Sequence, residues 1–324
     1  MSGWALAVVS GWLACARDPA PAPELAPEPV APRAVGSIGE AAEGDAIDGL
    51  KRYVVGRDAR GEERSFWAHV PAGATGPLPA VFVFHGGKGS TGLNIARFWT
   101  DQFDRGMVLV FPNGQLSDRS VGGWETDDGG DTWQVDNIRR LVDEVVSDLG
   151  VDPNRLYAVG FSSGGHIVNQ LACQMPTTFR GYGRIGRVLL ASTMRACKTP
   201  TERPQMMILG TRDDSARWDG KRGPDGQIHE QPVDVAWPFW LSAAGCPERP
   251  SATSTLPDRG DRVSVDVRDW GPCRSASAFR FVRITGADHQ WPTGGRMPSP
   301  GVVPVRDLDA TEAFLAFFRE TGGL

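Results

Sequence analysis

The sequence predicts an α/β fold, a doubly wound and mostly parallel sheet with helices on both faces, and three observations predict it. Short runs such as Ala80–Phe84 (AVFVF) and Met107–Phe111 (MVLVF) are apolar throughout, as in strands covered on both sides. Other segments carry apolar residues at helical spacing. The clearest is Gln134–Gly150, where Val135, Ile138, Leu141, Val142, Val145, Val146 and Leu149 recur before Gly150 as a C-cap. The two kinds of segment alternate, which implies parallel strands joined by helices, with ligands at the carboxyl ends of the strands.

The elements follow in order. With 324 residues, 40% of them hydrophobic, the chain can bury a sizeable core. Residues 1–15 read as a signal peptide: Met1–Ala14 is apolar but too short to span a bilayer. The junction Leu13-Ala14-Cys15 resembles a bacterial lipoprotein signal, so Cys15 is a candidate for lipidation; free secretion is the second reading and a cytosolic protein with a stray apolar start the third. Membrane contact is expected only through that anchor. Residues 16–48 form a Pro/Ala-rich tract that cannot make a core and reads as a disordered tether. Residues 49–324 read as one folded α/β domain. The formal charge of −5, without a run of Lys or Arg, argues against nucleic acid as a partner.

Within the domain, Arg64–Pro71 and Ala80–Gly87 read as strands, and Leu93–Arg105 is helix-compatible. Met107–Gly114 is a strand stopped by Pro-Asn-Gly. Val151–Ser162 is turn and strand, and Ser163–Gln174 is the next helix. Strands are expected over Arg187–Thr193, Gln205–Asp214 and Phe279–His289. A last helix, Asp309–Glu320, is apolar at Phe314, Leu315, Phe317 and Phe318.

Five cysteines are present, and setting Cys15 aside leaves an even set, Cys173, Cys197, Cys246 and Cys273, with three possible pairings. Pairing of sequence neighbours is expected, each bond contributing about 3 kcal/mol; four buried free thiols are the alternative. No C-x-x-C, H-x-H or H-E-x-x-H occurs, so no metal and no cofactor are expected. The acidic stretch Glu125–Asp131 lacks the full EF-hand pattern and reads as a solvated loop. Eleven tryptophans cluster in loop-like stretches. One or two, Trp291 first, are expected to face a cleft and stack on substrate.

Gly160-Phe161-Ser162-Ser163-Gly164 is a G-x-S-x-G string between strand and helix, the nucleophile elbow of the α/β-hydrolases. A serine hydroxyl needs a base to take its proton. Of five histidines, His289 alone lies just after the last long strand. An acid should lie between them at a strand end, where Asp213 is the first choice and Asp214 the second; its task is to orient the imidazole. Backbone N–H groups of Ser163 and Gly87 are the expected oxyanion hole, with Gly86 and Lys88 as near alternatives to Gly87.

The strings FVFHGGKGS, VLVFPNG, VDPNRLYAVGFSSGGHIVNQLAC, ILGTRDD, FWLSAAGC and ITGADHQWP occur in the order seen in the polyhydroxybutyrate depolymerase and feruloyl esterase group of secreted serine esterases. From Arg64 onward the chain resembles that group. The resemblance implies a single α/β-hydrolase domain, catalysis by Ser162, Asp213 and His289, a bond between Cys246 and Cys273, and an ester substrate. Hydroxyalkanoate oligomers are the first expectation, feruloyl or acetyl esters on plant polysaccharide the second, and a non-catalytic polymer- or glycan-binding protein on a hydrolase scaffold the third. The chain departs from the group at GTRDDSARWDG, where a Pro-rich loop commonly follows the aspartate.

Overall fold

The computed structural model describes residues 39–40, 47–57, 61, 63–87, 89–114, 123–124, 132–260, 262–296 and 301–324. The signal peptide, Cys15, Lys88 and the acidic stretch 125–131 lie outside them.

The first strands are β1 (Gly39–Glu40), β2 (Lys51–Arg57), β3 (Glu63–His69), β4 (Leu78–Phe84) and β5 (Val108–Pro112). The central ones are β6 (Val151–Phe161), β7 (Gly181–Ile185) and β8 (Gln205–Gly210). A small hairpin, β9 (Lys221–Arg222) and β10 (Ile228–Glu230), precedes β11 (Ala252–Thr255), β12 (Ser264–Trp270) and β13 (Phe279–Thr285). The helices are α1 (Gly92–Ala96), α2 (Thr132–Asp148), α3 (Ser163–Gln174), α4 (Ala191–Ala196), α5 (Val233–Ala243) and α6 (Ala310–Gly322).

All strands but β9 and β10 join one sheet of eleven, in the order β1-β2-β3-β5-β4-β6-β7-β8-β13-β12-β11. From β5 to β13 the neighbours are parallel; the flanks are antiparallel. Apolar residues of α2, α3 and α5 bury one face of the sheet, and those of α1 and α6 the other. The predicted double winding is therefore the fold. The first half of the predicted helix Leu93–Arg105 is the short α1; its second half is a single 3-10 turn, Thr100–Gln102. The paired strand β1 lies ahead of the expected domain start at Gly49 and inside the predicted tether.

One strand differs from expectation. Arg187–Thr193 is a loop that enters α4, and the strand is Gly181–Ile185 (GYGRI). Its glycines are set by packing: a Cβ on Gly181 would lie 2.7 Å from Phe318, and one on Gly183 2.6 Å from Phe314. The phenyl rings of α6 occupy the space that side chains on β7 would need. Tyr157 on β6 closes the same contact, its hydroxyl donating to Gly322 O at 2.7 Å.

Two disulfides, Cys173–Cys197 and Cys246–Cys273, close loops of 24 and 27 residues, the neighbour pairing expected. The first ties the end of α3 to the end of α4; the second ties the residue after the α5 turn to the residue before the 3-10 turn leading into β13. Among the described residues no helix is long and apolar enough to cross a membrane.

Candidate active site

Parallel strands deliver their carboxyl ends to one edge of the sheet, and the segments leaving β4, β6, β7, β8 and β13 meet there. Ladder bonds continue past the strands. Ser162 N–H donates to Ile185 O (2.9 Å), Gly186 N–H to Ile208 O (3.1 Å), Thr211 N–H to Ile284 O (3.0 Å) and Arg212 N–H to Ala287 O (2.9 Å).

Ser162 sits between β6 and α3 with φ 55° and ψ −123°, a conformation costly for a residue with a Cβ. The flanking glycines make this turn possible. A Cβ on Gly160 would lie 2.2 Å from Gly164 O, and one on Gly164 would lie 2.2 Å from Phe84 O. Strand β6, helix α3 and the end of β4 thus touch through bare backbone, and Ser162 is held at the apex, 9% exposed. Its hydroxyl makes no cap bond to α3.

Asp213 is 4% exposed. One carboxylate oxygen accepts the N–H groups of Ser215 and Ala216, each at 2.8 Å. The other lies 2.8 Å from Nδ1 of His289. With Nδ1–H directed at that carboxylate, Nε2 is left to act as acceptor. The His289 ring stacks on Phe161, centroids 4.9 Å apart, one residue before Ser162. Gly186 supports it from β7: a Cβ there would lie 2.8 Å from the imidazole and 3.2 Å from the Asp213 carboxylate. Asp214 is exposed and has no place in this arrangement.

The loop after β4 approaches from the other side. A Cβ on Gly86 would lie 3.4 Å from Ser162 Cβ, and one on Gly87 2.9 Å from Ser163 Oγ. The amides of Gly87 and Ser163 donate no backbone bond outside regular structure among the described residues. His85 holds this loop. Its Nδ1 pairs with Gly86 O (2.6 Å), and its Nε2 accepts the N–H of Gly114 (2.8 Å). The Trp124 indole donates to His85 O (2.8 Å). Burial pushes the imidazole down to about 4, so the ring is neutral, as its one donor and one acceptor require.

Trp291 is a correction. It is 3% exposed, and its indole N–H donates to Thr311 Oγ1 at 3.1 Å. The ring packs between Phe98 (5.7 Å, stacked) and Phe161 (6.2 Å, edge-on). It is a pillar under Phe161 and offers no face to a substrate.

Sequence reasoning missed the roles of His85, Gly186 and Phe161. Only His85 left a signal, a histidine ending a buried strand before two glycines. The other histidines have structural partners or burial: His69 bonds Gly49 O (2.8 Å) and Asp104 (3.0 Å), and His166 is buried on α3.

A serine at a nucleophile-elbow turn and a bonded Asp213–His289 pair, all at strand ends, make an arrangement found in serine hydrolases of the α/β-hydrolase fold. No protein-family profile matches the chain. "Putative esterase NocK" of Nocardia uniformis subsp. tsuyamanensis is 30% identical over 99% of this chain and 98% of its own length. The chain belongs to the same esterase family as that protein. It is also 26% identical to poly(3-hydroxyalkanoate) depolymerase C of Paucimonas lemoignei over 35% of this chain and 28% of that protein. Feruloyl esterase B of Piromyces equi is 26% identical over 49% of this chain and 29% of its own. Among solved structures, an acetyl xylan esterase from Aspergillus awamori shares the fold, with TM-score 0.54, 15% identity, and 88% and 99% of the two chains covered.

Proposed function

We propose that this protein is an extracytoplasmic serine esterase that works through an acyl-enzyme on Ser162, with hydroxyalkanoate oligomers as the first substrate class. The observation that carries the reading is the 2.8 Å contact from His289 Nδ1 to the buried Asp213 carboxylate, on a ring stacked against the residue preceding Ser162.

In this reading Nε2 of His289 takes the Ser162 proton as Oγ attacks the ester carbonyl. Asp213 fixes the tautomer and stabilises the imidazolium. The Gly87 and Ser163 amides stabilise the tetrahedral oxyanion. Collapse releases the alcohol, protonated by His289, and water then attacks the acyl-enzyme with His289 again as base. Among the described residues Ser162 and His289 form no hydrogen bond with each other; in this reading that bond closes when substrate binds, as catalytic hydrogen bonds commonly do.

Two disulfides support an oxidising compartment, and the leader supports export, by free secretion or through a lipid on Cys15. Feruloyl or acetyl esters are the second substrate reading, supported by the similarity to the feruloyl esterase. The test is p-nitrophenyl acetate hydrolysis by wild type and Ser162→Ala: the variant should lose nearly all activity, and equal rates would end the proposal. A fluorophosphonate probe separates an esterase from a binding protein, because only an activated serine is labelled.

A further inference from the structure

Between α4 and the β9–β10 hairpin lies a cavity of about 770 Å³, within the size range of small-molecule sites. Its lining includes Ser192, Arg195, Arg222, Asp225, His229 and Gln231. Arginines outnumber carboxylates there, although the whole chain carries a charge of −5. Asp225 is engaged in its own turn, accepting the N–H of Gln227 at 2.9 Å. Arg195 forms no ion pair or hydrogen bond among the described residues. Ser192 Oγ is buried and has no partner there either.

The cavity is tied to the catalytic edge. Gly186, against His289, and Ala191, in the cavity wall, are ends of one short segment, so they lie no more than ~17 Å apart. Arg187 and Lys221 both donate to Ser215 O, two residues past Asp213. Glu230 lies 4.0 Å from Arg187. Burial first, and then the charges of Arg187, His229 and Lys221, holds the His166 imidazole well below its usual range.

We propose that this cavity is a carboxylate-binding subsite, and that the preferred substrates are esters carrying a free carboxylate several bonds from the scissile carbonyl. The proposal rests on the esterase reading above and names its substrate class. Planar guanidinium groups suit a carboxylate. A carboxylate end is also what every cleavage of an oligoester leaves behind.

The test compares free acid with methyl ester in two pairs. Mono(4-nitrophenyl) adipate and its methyl ester place the charge on the acyl side. The 3-hydroxybutyrate dimer and its methyl ester place it on the alcohol side. In at least one pair kcat/KM should favour the free acid about tenfold, the scale of one charge-assisted hydrogen bond. The preference should shrink with added salt and fall to about one in the double variant Arg195→Gln/Arg222→Gln. Three results would overturn the subsite: equal or inverted rates in both pairs, a preference that survives the double variant, or one lost instead in Arg212→Gln/Arg262→Gln, whose arginines line a separate cavity with Asp288. If neither nitrophenyl ester is cleaved, the esterase reading itself fails and the subsite goes with it.

Discussion

The loops after β4 and β13 each carry a histidine to the same edge of the sheet, and the protein treats the two rings in opposite ways. His85 is fully buried, with both ring nitrogens engaged by backbone and its ring kept neutral. The His289 side chain is 25% exposed and is bonded to a carboxylate through Nδ1. A ring with two backbone partners is a strut. A ring with one carboxylate partner and, among the described residues, no partner on its second nitrogen is free to exchange a proton. Burial and partner choice, and not residue type, separate the two roles.

The largest test of this contrast is Asp213→Asn, which should lower kcat by about 10⁴-fold because the amide favours the wrong imidazole tautomer. Asp214→Asn should leave kcat near wild type, and equal losses at both positions would dissolve the assignment. Next comes His85→Ala, which removes both anchors of the loop proposed to supply the oxyanion hole. It should cost about 10²–10³ in kcat, the scale of one lost oxyanion donor, with KM less affected; a variant with normal kcat would show that the loop holds without its strut.

The third test is pH. His85 titrates at 6.5 when unfolded and at about 4 when folded, so between those values the unfolded chain binds a proton that the folded chain refuses. Stability is therefore complete above pH 6.5 and falls as pH drops towards 4. At pH 4.5 the loss is about 2 to 3 kcal/mol from this group, and His166 acts in the same direction. Urea unfolding at pH 7 and 4.5 measures it, and His85→Gln should flatten the difference. The smallest effect is expected away from both loops. Gly183→Ala places a methyl against Phe314 and should cost about 1–3 kcal/mol by overpacking, read as a lower Tm with kcat unchanged.

The elbow was legible because its chemistry is local: the turn at Ser162 requires bare backbone at Gly160 and Gly164, so the spacing itself records the geometry. The meeting of Asp213 with His289 was legible through chain order, each following a strand that reads clearly. β7 was not, because glycine counts against a strand in any local pattern, and the reason for Gly181 and Gly183 lies in rings on α6, far along the chain. Trp291 was misassigned for a similar cause: its neighbours Phe98, Phe161 and Phe314 come from three separate segments. The anchoring of His85 depends on Gly114 and Trp124, which belong to loops without periodicity.

The packing of α6 on β7 bears on how the chain matures. Phe314 and Phe318 are synthesised long after the strand they cover, so a nascent polypeptide can pair its central strands and still leave a bare, glycine-floored groove at their middle. Contacts of such sequence separation form slowly. Until they form, the middle of the sheet lacks the rings that cover it in the finished molecule, and completion of the fold waits on the last helix of the chain.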